Sequence, residues 1–235
     1  GCLAFAAIRS HDAPAIAAYR PPVEELAPDD ATLDALERLY ERAGALAEVE
    51  ALLSERLALP GSERQRTALT FRLAEARRRR QRPGAAIALY GQVLDAEPNH
   101  EGARAALLAI TAGPEHRLEA ALLLEPILRA TFATAELVDV LAIRIAHAEG
   151  ADAVALMHEK AWIEERQLGR RDEAFATLGA ALRAEPAHEP TYAALGKLMA
   201  GGDDGERLAA LYREVAGRPL DVAGQVHVRC HLGAP

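Results

Sequence analysis

Aromatic side chains are scarce in this sequence of 235 residues: phenylalanine, tyrosine and tryptophan together make 4% of it, with one tryptophan, Trp162. Alanine and leucine carry the apolar load instead, as in helices that pack closely. Cysteine is nearly absent. Cys2 and Cys230 stand at opposite ends, which excludes a disulfide framework and makes a reducing, cytoplasmic compartment the default. No apolar run approaches the roughly 18–20 residues of a membrane span. Positive charge is also short, 27 Lys+Arg against 35 Asp+Glu for a net charge of -8. That balance argues against nucleic acid as a partner, which would need a broad cationic face.

The usual apparatus of catalysis is missing too. There is no glycine-rich phosphate loop, no carboxylate pair and no nucleophile–base arrangement, so no catalytic residue and no cofactor is assigned. "HEKAW" at His158–Trp162 lacks the second histidine of a zinc protease. "VHVRCH" places His227 and His231 at i and i+4 beside Cys230, a spacing that suits a metal on a helix. Packing or a surface role is the reading adopted, and no metal is assigned. "GGDDG" at 201–205 is too short for an EF-hand calcium loop and reads as a turn.

What the chain does contain is repetition. "AEPNHE", Ala96 to Glu101, returns as "AEPAHE", Ala184 to Glu189. Extended without gaps, Ala85–Leu108 and Glu173–Gly196 share 12 of 24 residues. A third copy pairs "AIAAY" at Ala15–Tyr19 with "AIALY" at Ala86–Tyr90, and Pro28 takes the place of Pro98. In the best-defined copy Ala86, Tyr90, Val93 and Leu94 recur at helical spacing. Pro98 stops that helix, because proline has no amide donor and clashes with the preceding turn. Asn99 is then placed to cap the next helix. His100 and His188 share one turn position, read as polar turn or cap residues.

Read this way the whole chain is helical. Helices are expected near 3–9, 13–26, 31–43, 46–58, 63–81, 84–96, 100–111, 115–130, 135–148, 152–168, 172–184, 189–200 and 205–216, with another beginning after 221. Gly44, "LPGS" at 59–62, "RPG" at 82–84, "AGP" at 112–114, Gly150 and Gly169 separate them. Ser62 and Gln65 have the spacing of a capping box. Pro126 should kink its helix. The run "RRRRQR", Arg77 to Arg82, points in several directions around a helix end and reads as a solvated terminus. Trp162 is expected to pack between helices. Elements this short persist only by burying their stripes on neighbours.

These residues resemble the tetratricopeptide repeat, a 34-residue helix pair patterned W-x2-L-G-x2-Y, A-x3-F and P. Ala86, Tyr90 and Pro98 fit the last three positions. Tyr192, Leu195, Gly196 and Met199 fit the first four, as do Leu33, Leu36, Glu37 and Tyr40. Ala174, Leu178, Ala181 and Pro186 give another second-helix match. Departures are visible: the prolines lie 70 and 88 residues apart, 115–150 matches poorly, and Arg77 and Glu165 stand at aromatic positions. The texture is similar to that of divergent arrays in long bacterial proteins.

The resemblance implies an all-α, right-handed α-solenoid of antiparallel helix pairs. The whole of 1–235 is expected to form one array, with units near 1–27, 31–58, 63–96, 100–130, 135–184 and 189–216 and a further unit starting at 221–235. It also implies a concave face lined by the first helix of each pair. Asp34, Arg38, Glu41, Glu75, Arg78, Glu159, Arg166 and Lys197 are the expected contacts there. The function expected is a non-catalytic scaffold for a protein or peptide partner, other segments of the same chain included. The alternative is a structural or regulatory arm of a larger enzyme or regulator whose active domain lies elsewhere. Both ends read as cuts through a longer chain. A signal peptide before Cys2 would instead indicate an envelope lipoprotein.

Overall fold

Helix boundaries follow the punctuation of the sequence. The computed structural model describes residues 30–200, 205–218 and 222–232. Among them every regular element is an α-helix: α1 (Asp30–Arg42), α2 (Leu46–Ala58), α3 (Glu63–Arg79), α4 (Pro83–Ala96), α5 (Glu101–Ala112), α6 (Arg117–Ala130), α7 (Thr134–Ile145), α8 (Gly150–Arg166), α9 (Arg171–Ala184), α10 (Glu189–Met199), α11 (Gly205–Ala216) and α12 (Val222–Leu232). The expected helices at 3–9 and 13–26, Pro28 and Cys2 lie outside the described residues.

Local chemistry sets the ends. The Ser62 hydroxyl accepts from the Gln65 amide at 3.3 Å, and the Gln65 side chain accepts from the Ser62 amide at 3.0 Å, closing the capping box of α3. Gly44 and Gly169 adopt φ of 67°, which glycine enters without the Cβ penalty. Helix α6 runs through Pro126. One cap differs from expectation. The Ala103 amide donates to Nδ1 of His100 at 3.1 Å, so the imidazole, rather than Asn99, covers the start of α5. An imidazole reaches the amide three residues on, as a serine or aspartate would.

The chain divides into two compact units, 1–110 and 111–235, the boundary falling in the last turn of α5. In the first, α1 packs on α2, α2 on α3 and α3 on α4; in the second, each of α6 to α11 packs on its successor. Each unit is thus an all-α stack of sequential helices, the α-solenoid type of construction. The 135–184 stretch holds three helices, α7, α8 and α9, so five helices separate the matching prolines. That extra helix accounts for the 88-residue spacing.

The stripe Ala86, Tyr90, Val93 and Leu94 is almost wholly buried. Val49, Leu53, Leu73 and Ala76 form one hydrophobic cluster of the first unit. Leu178, Leu182, Tyr192, Leu195, Leu211, Tyr212 and Val215 lie at the centre of the second. Each such leucine removed from water contributes about 1.5–3 kcal/mol.

Acidic groups tie the helices together. Glu37, 1% exposed, meets Arg56 at 3.3 Å and Arg72 at 2.5 Å. Glu164 is held by Lys160 and by the Thr177 hydroxyl at 2.8 Å. The arginine run is likewise engaged rather than simply solvated. Arg77 and Arg80 reach Glu50, Arg78 reaches Glu75 at 2.7 Å, and Arg79 lies 3.8 Å from Glu41. Arg77 and Arg80, three positions apart, share one carboxylate, while Arg78 and Arg79 each turn to another.

Candidate interaction surface

The expected contact residues fall in both units, and most of those in the first are occupied internally. Asp34 accepts from Arg56 at 2.7 Å and lies 3.6 Å from Arg72. Burial pushes its carboxyl up, but the bond from Arg56 and the charges of Arg56, Arg72 and Arg38 outweigh it and leave it below the usual range. Glu75 accepts from Arg78 and from the Tyr90 hydroxyl at 2.5 Å. Arg38 and Glu41 are exposed on α1. The α3 side chains that reach Asp34 and Glu41 are Arg72, three residues before Glu75, and Arg79, the residue after Arg78.

In the second unit Glu159 and Arg166 flank Trp162 at i, i+3 and i+7, one face of α8. Trp162 is 55% exposed, which overturns its expected role as packing between helices. It lines a small cleft of about 210 Å³ together with Leu128, Leu137, Ile163 and Phe132. Lys197 is exposed on α10.

Phe132 is the odd residue of this cleft. Helix α6 ends in a tight reversal: the Ala133 amide donates to the Leu128 carbonyl at 3.0 Å and the Phe132 amide to that of Arg129 at 3.3 Å. This is the Schellman pattern, whose turning residue is left-handed and is most often glycine. The same bonds close α1, where the turning residue is Gly44. In α6 it is phenylalanine, with φ of 55° and 86% of its surface exposed. A bulky side chain in this region costs roughly 1–3 kcal/mol. Burial returns little of it.

Arg129 and Glu159 give the cleft a polar wall, braced from behind by Glu125 and Arg144. Arg129 donates through Nη2 to Glu125 at 2.7 Å and to Glu159 at 2.9 Å, and Arg144 donates to Glu125 at 2.5 Å. Burial raises the Glu125 carboxyl, while the bonds from Arg129 and Arg144 lower it by more. It therefore stays ionised and anchors both arginines. The arrangement offers an apolar slot for one bulky side chain, an aromatic edge and a fixed polar border. It is smaller than the roughly 300–1,000 Å³ of small-molecule sites.

The two histidines of the 227–231 segment have partners in the preceding helices. His231 stacks on Tyr192 with ring centroids 4.2 Å apart, and Nε2 of His227 lies 3.4 Å from Glu189. Cys230 is exposed. Among the described residues no group of three acidic, histidine or cysteine side chains is gathered for a metal. No helix there is long and apolar enough to cross a membrane.

Sequence reasoning passed over Phe132, Arg129 and Arg56. Only Trp162 carried a usable signal, an unusual residue at helical spacing from two expected contacts.

No family model and no curated protein matches the chain. It is similar to the crystal structure of a kinesin light chain from Podosopora anserina with nearly identical TPR-like repeats. The identity is 20% and the TM-score 0.33, covering 79% of this chain and 92% of that one. Likeness at that TM-score brings neither ligand nor partner to this chain.

Proposed function

We propose that this chain is a non-catalytic scaffold that holds a peptide or protein partner, and that the cleft between Trp162 and Phe132 takes a bulky apolar side chain of that partner. The observation that carries the reading is Phe132, a strained aromatic kept in water at a turn that glycine would close more cheaply. Strain at an exposed position is where function is sought. Large aromatic anchors of this type dominate binding energy in protein interfaces. Glu159 lines the cleft, and Arg166 lies one turn beyond Trp162 on α8. Lys197 on α10, and Asp34, Arg38, Glu41, Glu75 and Arg78 in the first unit, extend the proposal to the first helix of each pair.

Trp162 is the one tryptophan in the sequence, so its fluorescence reports on the cleft directly. Peptides selected from a displayed random library on the intact chain should carry a leucine, phenylalanine or tryptophan anchor and shift that emission on binding. Phe132→Gly should weaken them at least tenfold with helicity unchanged. Equal binding to the wild type and to Phe132→Gly would remove the cleft from the interface.

A further inference from the structure

The arginine run at the end of α3 holds more positive charge than its own carboxylates balance. Arg77, Arg78, Arg79, Arg80 and Arg82 are paired with Glu41, Glu50 and Glu75, so five positive groups meet three negative ones and two charges remain. The excess is concentrated at one point. Glu50, only 13% exposed in its side chain, receives Arg77 Nε at 3.0 Å, Arg80 Nη1, and Arg82 Nη1 at 3.5 Å. Burial raises the Glu50 carboxyl, but the bonds and charges of Arg80 and Arg77 lower it further, so it carries its charge.

Three guanidinium groups are thereby gathered around one carboxylate, yet their donors are far from used. A guanidinium has five N–H donors. Arg80 and Arg82 each spend one nitrogen on Glu50, the latter at the limit of hydrogen-bond distance. Their side chains are 32% and 55% exposed. Side chains this exposed leave donors for solvent, and Glu50 holds one nitrogen of each arginine, Arg80 on Oε2 and Arg82 on Oε1. Arg77 is fixed in place by a second bond, to the Ala85 carbonyl at 3.3 Å. This lies in the first unit and is independent of the Trp162 cleft.

We propose that Arg80 and Arg82, steadied by Glu50 and Arg77, form a binding site for a phosphoryl dianion. Its two charges match the two left over, and its oxygens accept the paired donors that arginine presents. A carboxylate, with one charge, would leave the excess half uncompensated. Glu50 orders the arginines and also repels the incoming anion, so the site is built to bind and release.

The test titrates inorganic phosphate into the intact chain at pH 7.5 and constant ionic strength, following the Arg Nε–H resonances by NMR. Phosphate should saturate shifts of the Arg80 and Arg82 signals, and acetate should bind at least tenfold more weakly. Arg82→Ser should weaken phosphate about tenfold, and Glu50→Gln should strengthen it severalfold. Far-UV circular dichroism checks that both variants fold. Signals that move no more with phosphate than with chloride would overturn the site, as would acetate binding equally well. Unchanged phosphate affinity in both variants would overturn it also, and preference for a DNA or RNA oligomer over phosphate would replace it with a polyanion surface.

Discussion

The imidazoles of His158 and His188 meet edge to face, 5.2 Å between centroids, across the hydroxyl of Thr191. That hydroxyl lies 2.8 Å from Nε2 of His158 and 2.8 Å from Nδ1 of His188, and Thr191 is fully buried. One hydroxyl has one proton, so it donates to one ring and accepts an N–H from the other. The pair links α8 to the start of α10.

A pH dependence follows. Burial, reinforced by the charge of a protonated His188, holds the His158 imidazole below the usual histidine range. The unfolded chain then takes up a proton at higher pH than the folded one, and stability rises with pH between the two values. Melting temperature should therefore fall as pH drops from 7.5 through about 6.5, the ordinary histidine value, and level off below the folded value. His158→Gln should flatten the curve in this window. An equal slope in both proteins would show that His158 is not the group responsible.

Phe132→Gly should behave unusually for the loss of a large aromatic. The left-handed strain disappears, while glycine loses more chain entropy on folding, by roughly 0.5–1 kcal/mol. The net expectation is a chain as stable as the wild type or up to about 2 kcal/mol more stable in urea titrations. A loss above about 1 kcal/mol would mean that the ring packs where it now stands exposed.

Arg56→Met should destabilise the first unit by about 2–3 kcal/mol, because it leaves the carboxylate of Glu37 buried with Arg72 alone. Adding Glu37→Gln should recover a good part of the loss, since the uncompensated charge goes with it. Denaturant midpoints across the double-mutant cycle measure the coupling. Additive losses would mean that the two side chains do not depend on each other.

Gly102→Ala tests how closely α5 approaches α3. A Cβ there would stand 2.8 Å from Cζ of Phe71, whose ring is wedged 4.6 Å from that of His100 and 6.1 Å from that of Tyr90. Overpacking of this kind costs roughly 1–3 kcal/mol, against about 1 kcal/mol gained in helix propensity. Amide exchange in α5 should quicken in the variant and recover with Phe71→Leu added. Unchanged exchange in Gly102→Ala would mean that the ring yields freely.

The helices were legible because their causes are local. Gly44, Gly169, the Ser62–Gln65 box and the breaks near 60 and 83 act on their own backbone, and the apolar stripes repeat at the period of a helix. His100 was placed at its turn, though the assignment of the cap to Asn99 was not, since which of two adjacent polar side chains reaches the amide depends on the turn's geometry. Trp162 was misread for a related reason. Helical spacing tells which face a residue shares, and the identity of the neighbour covering that face is written far away in the chain.

The sequence by itself determined an all-helical chain with a twice-written segment and the residues that start and stop its rods, because those are short-range matters of dihedral angle, amide donors and stripe periodicity. Only the tertiary structure decided that Arg77, Arg80 and Arg82 close on Glu50, that Glu37 is buried between two arginines, and that Trp162 and Phe132 stand in water. Those outcomes depend on which helix lies against which, and contact between residues 20 or 30 positions apart has no period to read.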